Sequence, residues 1–285
     1  MKIPLRFALL LSLGGCSSSD DGTSCKRSSD TYVGLVDISR SSYPLSSPGP
    51  SVGSGGVAVF VPSKDADALP QIPSCGGAAK TGQCCYIAPP PDAGDDSSSG
   101  PDLSAWNVTV TDENDPDAGS YSEVDIYVDG GSPFPGGGTE PLGSLRIYEW
   151  SGGDLLRVES NGMDAVGAFS GQIKSPLELE GLSPRVFWDG GSVPIGADFA
   201  LSWTPGGASS ITIEVLDQTT LGEILCTVAD NGAFTIPKSL LANFQSGDQG
   251  GFILIRSAGS CAYSDNASIS LQAQTLTLVG GAQFQ

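Results

Sequence analysis

Phe199-Ala-Leu-Ser-Trp203 places a large apolar side chain at every second position, and after Thr204-Pro-Gly-Gly-Ala-Ser-Ser210 the segment Ile211-Thr-Ile-Glu-Val215 does the same. Successive side chains of an extended chain point to opposite faces, so this period of two marks strands with one face against a core. Working outward, Ile224, Cys226 and Val228 continue the pattern, and Phe252 to Ile255 is apolar throughout. Near the end Ile269, Leu271 and Ala273 keep one phase while Leu276 and Leu278 take the other, which predicts a β-bulge near Gln274. Toward the start the pattern recurs at Leu156 and Val158, Leu145 and Ile147, Val124, Ile126 and Val128, Trp106, Val108 and Val110, and Val57, Val59 and Val61. Only residues 239–244, following Pro237, read as helical turns. The expectation is an all-β chain with two antiparallel β-sandwich domains, residues 57–181 and an immunoglobulin-like sandwich at 182–285. Residues 88–101, Ala-Pro-Pro-Pro-Asp-Ala-Gly-Asp-Asp-Ser-Ser-Ser-Gly-Pro, carry no apolar pattern and read as an exposed, disordered loop in the first domain.

The first residues carry a different signal. Lys2 and Arg6 precede an apolar run from Phe7 to Leu13, and Leu13-Gly-Gly-Cys16 follows at once. The run is too short to cross a bilayer, which takes roughly 20 residues, so residues 1–15 read as a secretory signal peptide. Leu-Gly-Gly-Cys resembles the lipobox of bacterial lipoproteins. The resemblance implies cleavage before Cys16, acylation of that cysteine, and attachment to a membrane by several chains at once. Ser17, standing where inner-membrane retention usually shows Asp, points to the outer membrane. Residues 16–56, rich in Ser, Asp, Gly and Pro, are expected to form a flexible tether.

Composition fits an exported protein. Of 13 basic residues, Lys2 and Arg6 leave with the signal, so 11 face 32 acidic ones. A surface this acidic repels nucleic acid, which is excluded as a partner. Apart from Cys16 there are six cysteines, and an even number in an oxidising compartment suggests disulfides. Cys226 and Cys261 stand alone in the C-terminal half and are expected to pair with each other. Cys25, Cys75, Cys84 and Cys85 would supply two more bridges, the adjacent Cys84 and Cys85 taking different partners. The chain has no histidine, which argues against zinc and against any histidine-dependent catalytic arrangement.

Asp198 to Gly207, Ile224-Leu-Cys-Thr-Val-Ala-Asp-Asn-Gly-Ala-Phe-Thr-Ile-Pro237 and Phe252-Ile-Leu-Ile-Arg256 resemble the immunoglobulin-like modules of lipoproteins from myxobacteria and their relatives. Trp150-Ser-Gly-Gly-Asp-Leu-Leu-Arg-Val158 and Val166-Gly-Ala-Phe-Ser-Gly171 resemble the companion domain. The likeness is one of strands and turns, so it implies a fold and no mechanism.

Three functions remain open. The first is a membrane-anchored, non-catalytic cell-surface or periplasmic protein with a structural, adhesive or binding role, taking a surface glycan or protein ligand and needing no cofactor. Trp150 and Trp188, beside Gly-rich turns, are its candidate ligand platform, because aromatic faces stack on sugar rings. The second is a calcium-stabilised adhesin. Asp112-Glu-Asn-Asp115 resembles the Asp-x-Asn-Asp calcium linker of cadherins, so Asp112, Asn114 and Asp115 are candidate ligands, with Asp117 and Glu123 nearby. The same four residues suit a plain hairpin turn. The third is a polysaccharide hydrolase built on two carboxylates from among Asp125, Glu149, Asp154, Glu159, Glu178 and Glu180, which would need to stand roughly 5 to 10 Å apart.

Overall fold

The computed structural model of the 285-residue chain describes residues 25, 27, 29–43, 51–68, 83–88, 109–112, 150–162, 166–184 and 191–285. In chain order its elements are β1 (Tyr32–Tyr43), β2 (Ser51–Pro62), β3 (Gln83–Ile87), β4 (Thr109–Asp112), β5 (Leu155–Ser160), β6 (Phe169–Lys174), β7 (Ser192–Val193), β8 (Phe199–Ser202), β9 (Ser210–Asp217), β10 (Glu223–Ala229), β11 (Ala233–Ile236), helix α1 (Lys238–Leu241), β12 (Gln249–Tyr263) and β13 (Ala267–Phe284). The protein is all-β and sandwich-like, as the period-two runs predict.

The last two strands organise everything else. β12 and β13 form an antiparallel hairpin joined at residues 264–266. β12 then divides its free edge. Residues 250–256 pair with β9, which carries β10 and β3, whereas its tip at Tyr263 meets β6, which carries β5 and β4. On the outer side of β13 lie β1 and β2, and β7 pairs with its last residues. β8 and β11 make a separate two-stranded sheet.

This fork creates two cores on one face of the hairpin. In the first, Phe199, Leu201 and Trp203 meet Ile211, Ile213, Val215, Ile224, Val228, Phe252 and Leu254, with Leu241 and Phe244 closing one side. In the second, Val36, Ile38, Ala58 and Phe60 meet Leu156, Val158, Phe169 and Ile173 across Ile269, Leu271 and Ala273. Gly34 is required here: a Cβ on it would stand 2.4 Å from the Phe60 ring.

Four expectations are corrected. Residues 16–56 are not a tether throughout, because β1 is a central strand with Val33, Leu35, Val36 and Ile38 all buried. The Ser- and Gly-rich start of β2 joins the sheet through its backbone, a pairing that needs no apolar side chains. The sheet is not purely antiparallel either. β1 runs parallel to β13 from Tyr32 opposite Ala267 to Ser42 opposite Thr277. The boundary near residue 182 does not separate the cores, since β12 and β13 line both and Leu179 belongs to the later one. No bulge interrupts β13 near Gln274, where the register with β12 is continuous and shifts instead at Gly250/Gly251. Leu276 reverses phase because the opposite face is also buried, where it packs with Leu216, Ile253 and Ile255.

The disulfide expectation is corrected as well. Cys25 pairs with Cys261 and Cys84 with Cys226, with Cα–Cα distances of 5.5 and 4.0 Å. Ile213 lies between Cys226 and Leu254 in register, so Cys261 stands seven residues further along β12, about 23 Å away at ~3.3 Å per residue. An odd step also puts it on the opposite face, and a disulfide needs Cα atoms within roughly 7 Å. Cys84 is the residue directly across from Cys226 on β3. Cys85, one step on, faces the other side of the sheet and is disulfide-bonded to a different cysteine, as expected for adjacent residues of a strand.

Candidate functional site

Between the two cores the shared face of the hairpin turns polar. Arg256 continues the phase of Phe252 and Leu254, and Thr275 is its partner on β13. The Arg256 side chain is 1% exposed and its charge is met by Asp230, equally buried, at 3.1 Å. Its Nη1 donates to the carbonyls of Leu177 and Glu178 at 3.4 and 2.7 Å, and its Nη2 donates to Thr204 O and to Asp230 Oδ1. Asp230 also accepts from Trp203 Nε1 at 2.8 Å and from the backbone N–H groups of Gly206 and Ala208. Burial by itself would raise the Asp230 carboxyl. Hydrogen bonds from Arg256, Trp203 and Gly206, with the Arg256 charge, outweigh it and hold the group below its ordinary range. Gly206 must lack a side chain, because a Cβ there would meet the guanidinium at 2.4 Å.

Above this knot opens a shallow cleft of about 370 Å³, walled by Ser151, Gly152, Glu178, Glu180, Thr204 and Gly206. Of the acidic candidates, Glu178 and Glu180 reach it. Glu178 is bound by Arg40 Nε at 2.7 Å. Asp154 instead accepts the Ser151 N–H, and Glu159 pairs with Arg157 at 2.5 Å. Asp125 and Glu149 lie outside the described residues. At the base of the cleft the Arg256 guanidinium has its donors committed to protein oxygens, so its role is to join the loops around residues 177 and 204 to the hairpin.

The opposite face of the hairpin holds a second polar feature. Asp37 of β1 stands level with Gln272 of β13 and is 1% exposed. Its Oδ2 accepts from Gln274 Nε2 at 3.0 Å, while its Oδ1 and Gln272 Oε1 have no hydrogen-bonding partner. Burial pushes the Asp37 carboxyl up to about 8. A proton on the acid removes the buried charge and turns one acceptor oxygen into a donor.

A third cluster fastens the start of the described chain to the hairpin turn. Beside the Cys25–Cys261 disulfide, Arg27 Nη2 donates to Ser264 O at 2.6 Å and Ala267 O at 3.1 Å, and its guanidinium lies 4.9 Å from the centre of the Tyr263 ring. Asp30 takes Arg27 Nε at 2.9 Å and the Ser268 hydroxyl. Burial opposes ionisation of Asp30, but these bonds and the Arg27 charge lower its carboxyl overall.

Trp150 cannot serve in the predicted ligand platform. Trp150 is wholly buried in the second core, with Arg40 5.9 Å from its ring centre, and Trp188 lies outside the described residues. The Gly-rich turn that suggested exposure, Ser151 to Gly153, instead closes tightly over residues 175–178. Asp112 ends β4, while Asn114 and Asp115 lie outside the described residues, as do Cys16 and Cys75. Among the described residues no group of three acidic or cysteine side chains is arranged to hold a metal. Sequence reading missed Arg256, Asp230 and Asp37, though a charge continuing the phase of Phe252 and Leu254 was the available signal for the first. No protein-family model matches the chain, and no curated protein matches it significantly.

Proposed function

We propose that this chain is a non-catalytic lipoprotein of the bacterial cell envelope, anchored to the outer membrane through Cys16 and offering a rigid β-body to a surface glycan or a protein ligand. The observation that carries the reading is the order of the first 16 residues: basic end, apolar run, two glycines, cysteine. Disulfides at Cys25–Cys261 and Cys84–Cys226 support an oxidising compartment. A binding role is favoured over hydrolysis because one of the two carboxylates at the cleft, Glu178, is already held in an ion pair by Arg40, and the Arg256 guanidinium beneath is bonded to the protein itself.

Expression of the full chain and of Cys16→Ser in an envelope-bearing bacterium tests this. Wild type should partition into detergent and carry acyl mass on its N-terminal peptide, and Cys16→Ser should lose both. Wild type recovered as an unacylated soluble protein refutes the anchor, and turnover of polysaccharide that is abolished by Glu178→Gln or Glu180→Gln refutes the non-catalytic assignment.

A further inference from the structure

The reading of Cys16 as the anchor has a geometric consequence once the fastening at Cys25 is included. Nine residue steps separate Cys16 from Cys25, so the link spans at most about 32 Å when fully extended. It ends on one definite place. Cys25 is bonded to Cys261, two residues before the end of β12, and Arg27 grips Ser264 in the turn that follows and Ala267 at the start of β13. From that turn the hairpin runs away for fourteen residue steps to Gln249, about 46 Å at ~3.3 Å per residue. The first core, around Phe252 and Leu254, lies at the remote end. Two features suit the near end to a headgroup layer. Tyr263 is 46% exposed, and the half-exposed Arg27 guanidinium, paired with the buried Asp30, lies on its ring, an amphipathic aromatic edge that fits a polar–apolar boundary.

We infer that the protein stands upright on its membrane, with the β12–β13 turn against the lipid headgroups and, among the described residues, the core around Phe252 farthest from them. This inference rests on the proposed acylation of Cys16. Among the described residues, the segments presented to a ligand are then those at the remote end: residues 218–222, residues 245–248 and the C-terminal residues beside β7.

Acylated full-length protein in phosphatidylglycerol-containing vesicles tests the orientation. An azide-bearing amino acid placed at Asp265, in the turn, or at Ser246, at the remote end, carries a donor dye without disturbing the cysteines, and the bilayer carries a headgroup acceptor dye. Energy transfer should be strong from position 265 and several-fold weaker from position 246. Insertion of twenty Gly/Ser residues between Ser24 and Cys25 leaves the fold intact and should erase most of that difference. Equal or stronger transfer from position 246, with the protein bound to the vesicles, overturns the orientation while leaving the anchor in place. Protein that carries no acyl mass and stays off the vesicles overturns both.

Discussion

Asp37→Asn should make this protein more stable, and more so as the pH rises. Asp37 is buried on β1 with one oxygen unpartnered, level with Gln272 on β13, and its carboxyl is raised from 3.8 to about 8 by burial. Over that interval the unfolded chain has released a proton that the folded chain keeps. Stability from this group is therefore complete below about pH 4 and is lost as the pH rises toward 8, at ~1.4 kcal/mol per unit. From about pH 5 to about pH 8 the loss is roughly 4 kcal/mol. An asparagine keeps an oxygen to accept from Gln274 Nε2 and, like the protonated acid, carries no charge, so it replaces the acid without an ionisation step. The variant should match wild type near pH 4 and exceed it by roughly 5 kcal/mol at about pH 8. Glu223 is also raised by burial and adds a slope of the same sign, so Glu223→Gln serves as a control. Asp30 and Asp230 are lowered, and their stability is present above the ordinary carboxylate range and lost only in stronger acid. Urea unfolding followed by tryptophan fluorescence, disulfides intact, measures the effect at each pH. Parallel curves for wild type and Asp37→Asn between pH 5 and 8 would refute the reasoning.

Asp230→Ala should cost about 3 to 5 kcal/mol, because it leaves the Arg256 guanidinium buried without its counter-charge, while exposed Asp265→Ala changes stability little; equal losses in urea unfolding contradict the knot at the junction. Trp150→Ala should also lose about 3 to 5 kcal/mol, the effect of emptying a core site, and its thermal midpoint should fall with no selective loss of glycan binding. Peptide mapping without reductant should recover Cys25 with Cys261 and Cys84 with Cys226. Removing the second bridge by Cys84→Ser with Cys226→Ser should destabilise by roughly 5 kcal/mol in the chain-entropy model, and a Cys226–Cys261 peptide would overturn the pairing. Limited proteolysis should spare residues 32–43, since β1 is paired on both edges, and early cuts there would restore the tether.

The local periodicities announced most of the strands: Phe199, Leu201 and Trp203, then Ile211, Ile213 and Val215, then Ile224, Cys226 and Val228 all face the core they were read as facing. They did so because the two-residue alternation of an extended chain is a property of the backbone and survives any arrangement of strands. The short helix after Pro237 and the core position of Trp203 were legible for the same local reason. Which strand lies beside which was not legible. β1 reads as part of a polar tether because half of its environment is supplied by β13, more than 230 residues later in the chain. The phase reversal at Leu276 reads as a bulge because a sequence cannot say that both faces of a strand are covered. Trp150 reads as exposed because glycines beside it mark a turn equally well when the turn folds over a core. Cysteine pairing, Arg256 against Asp230 and Asp37 beside Gln272 all join residues that share no sequence neighbourhood. Alternation is set by bonds between adjacent residues, whereas these contacts depend on how distant strands pack, and only the tertiary structure decides that.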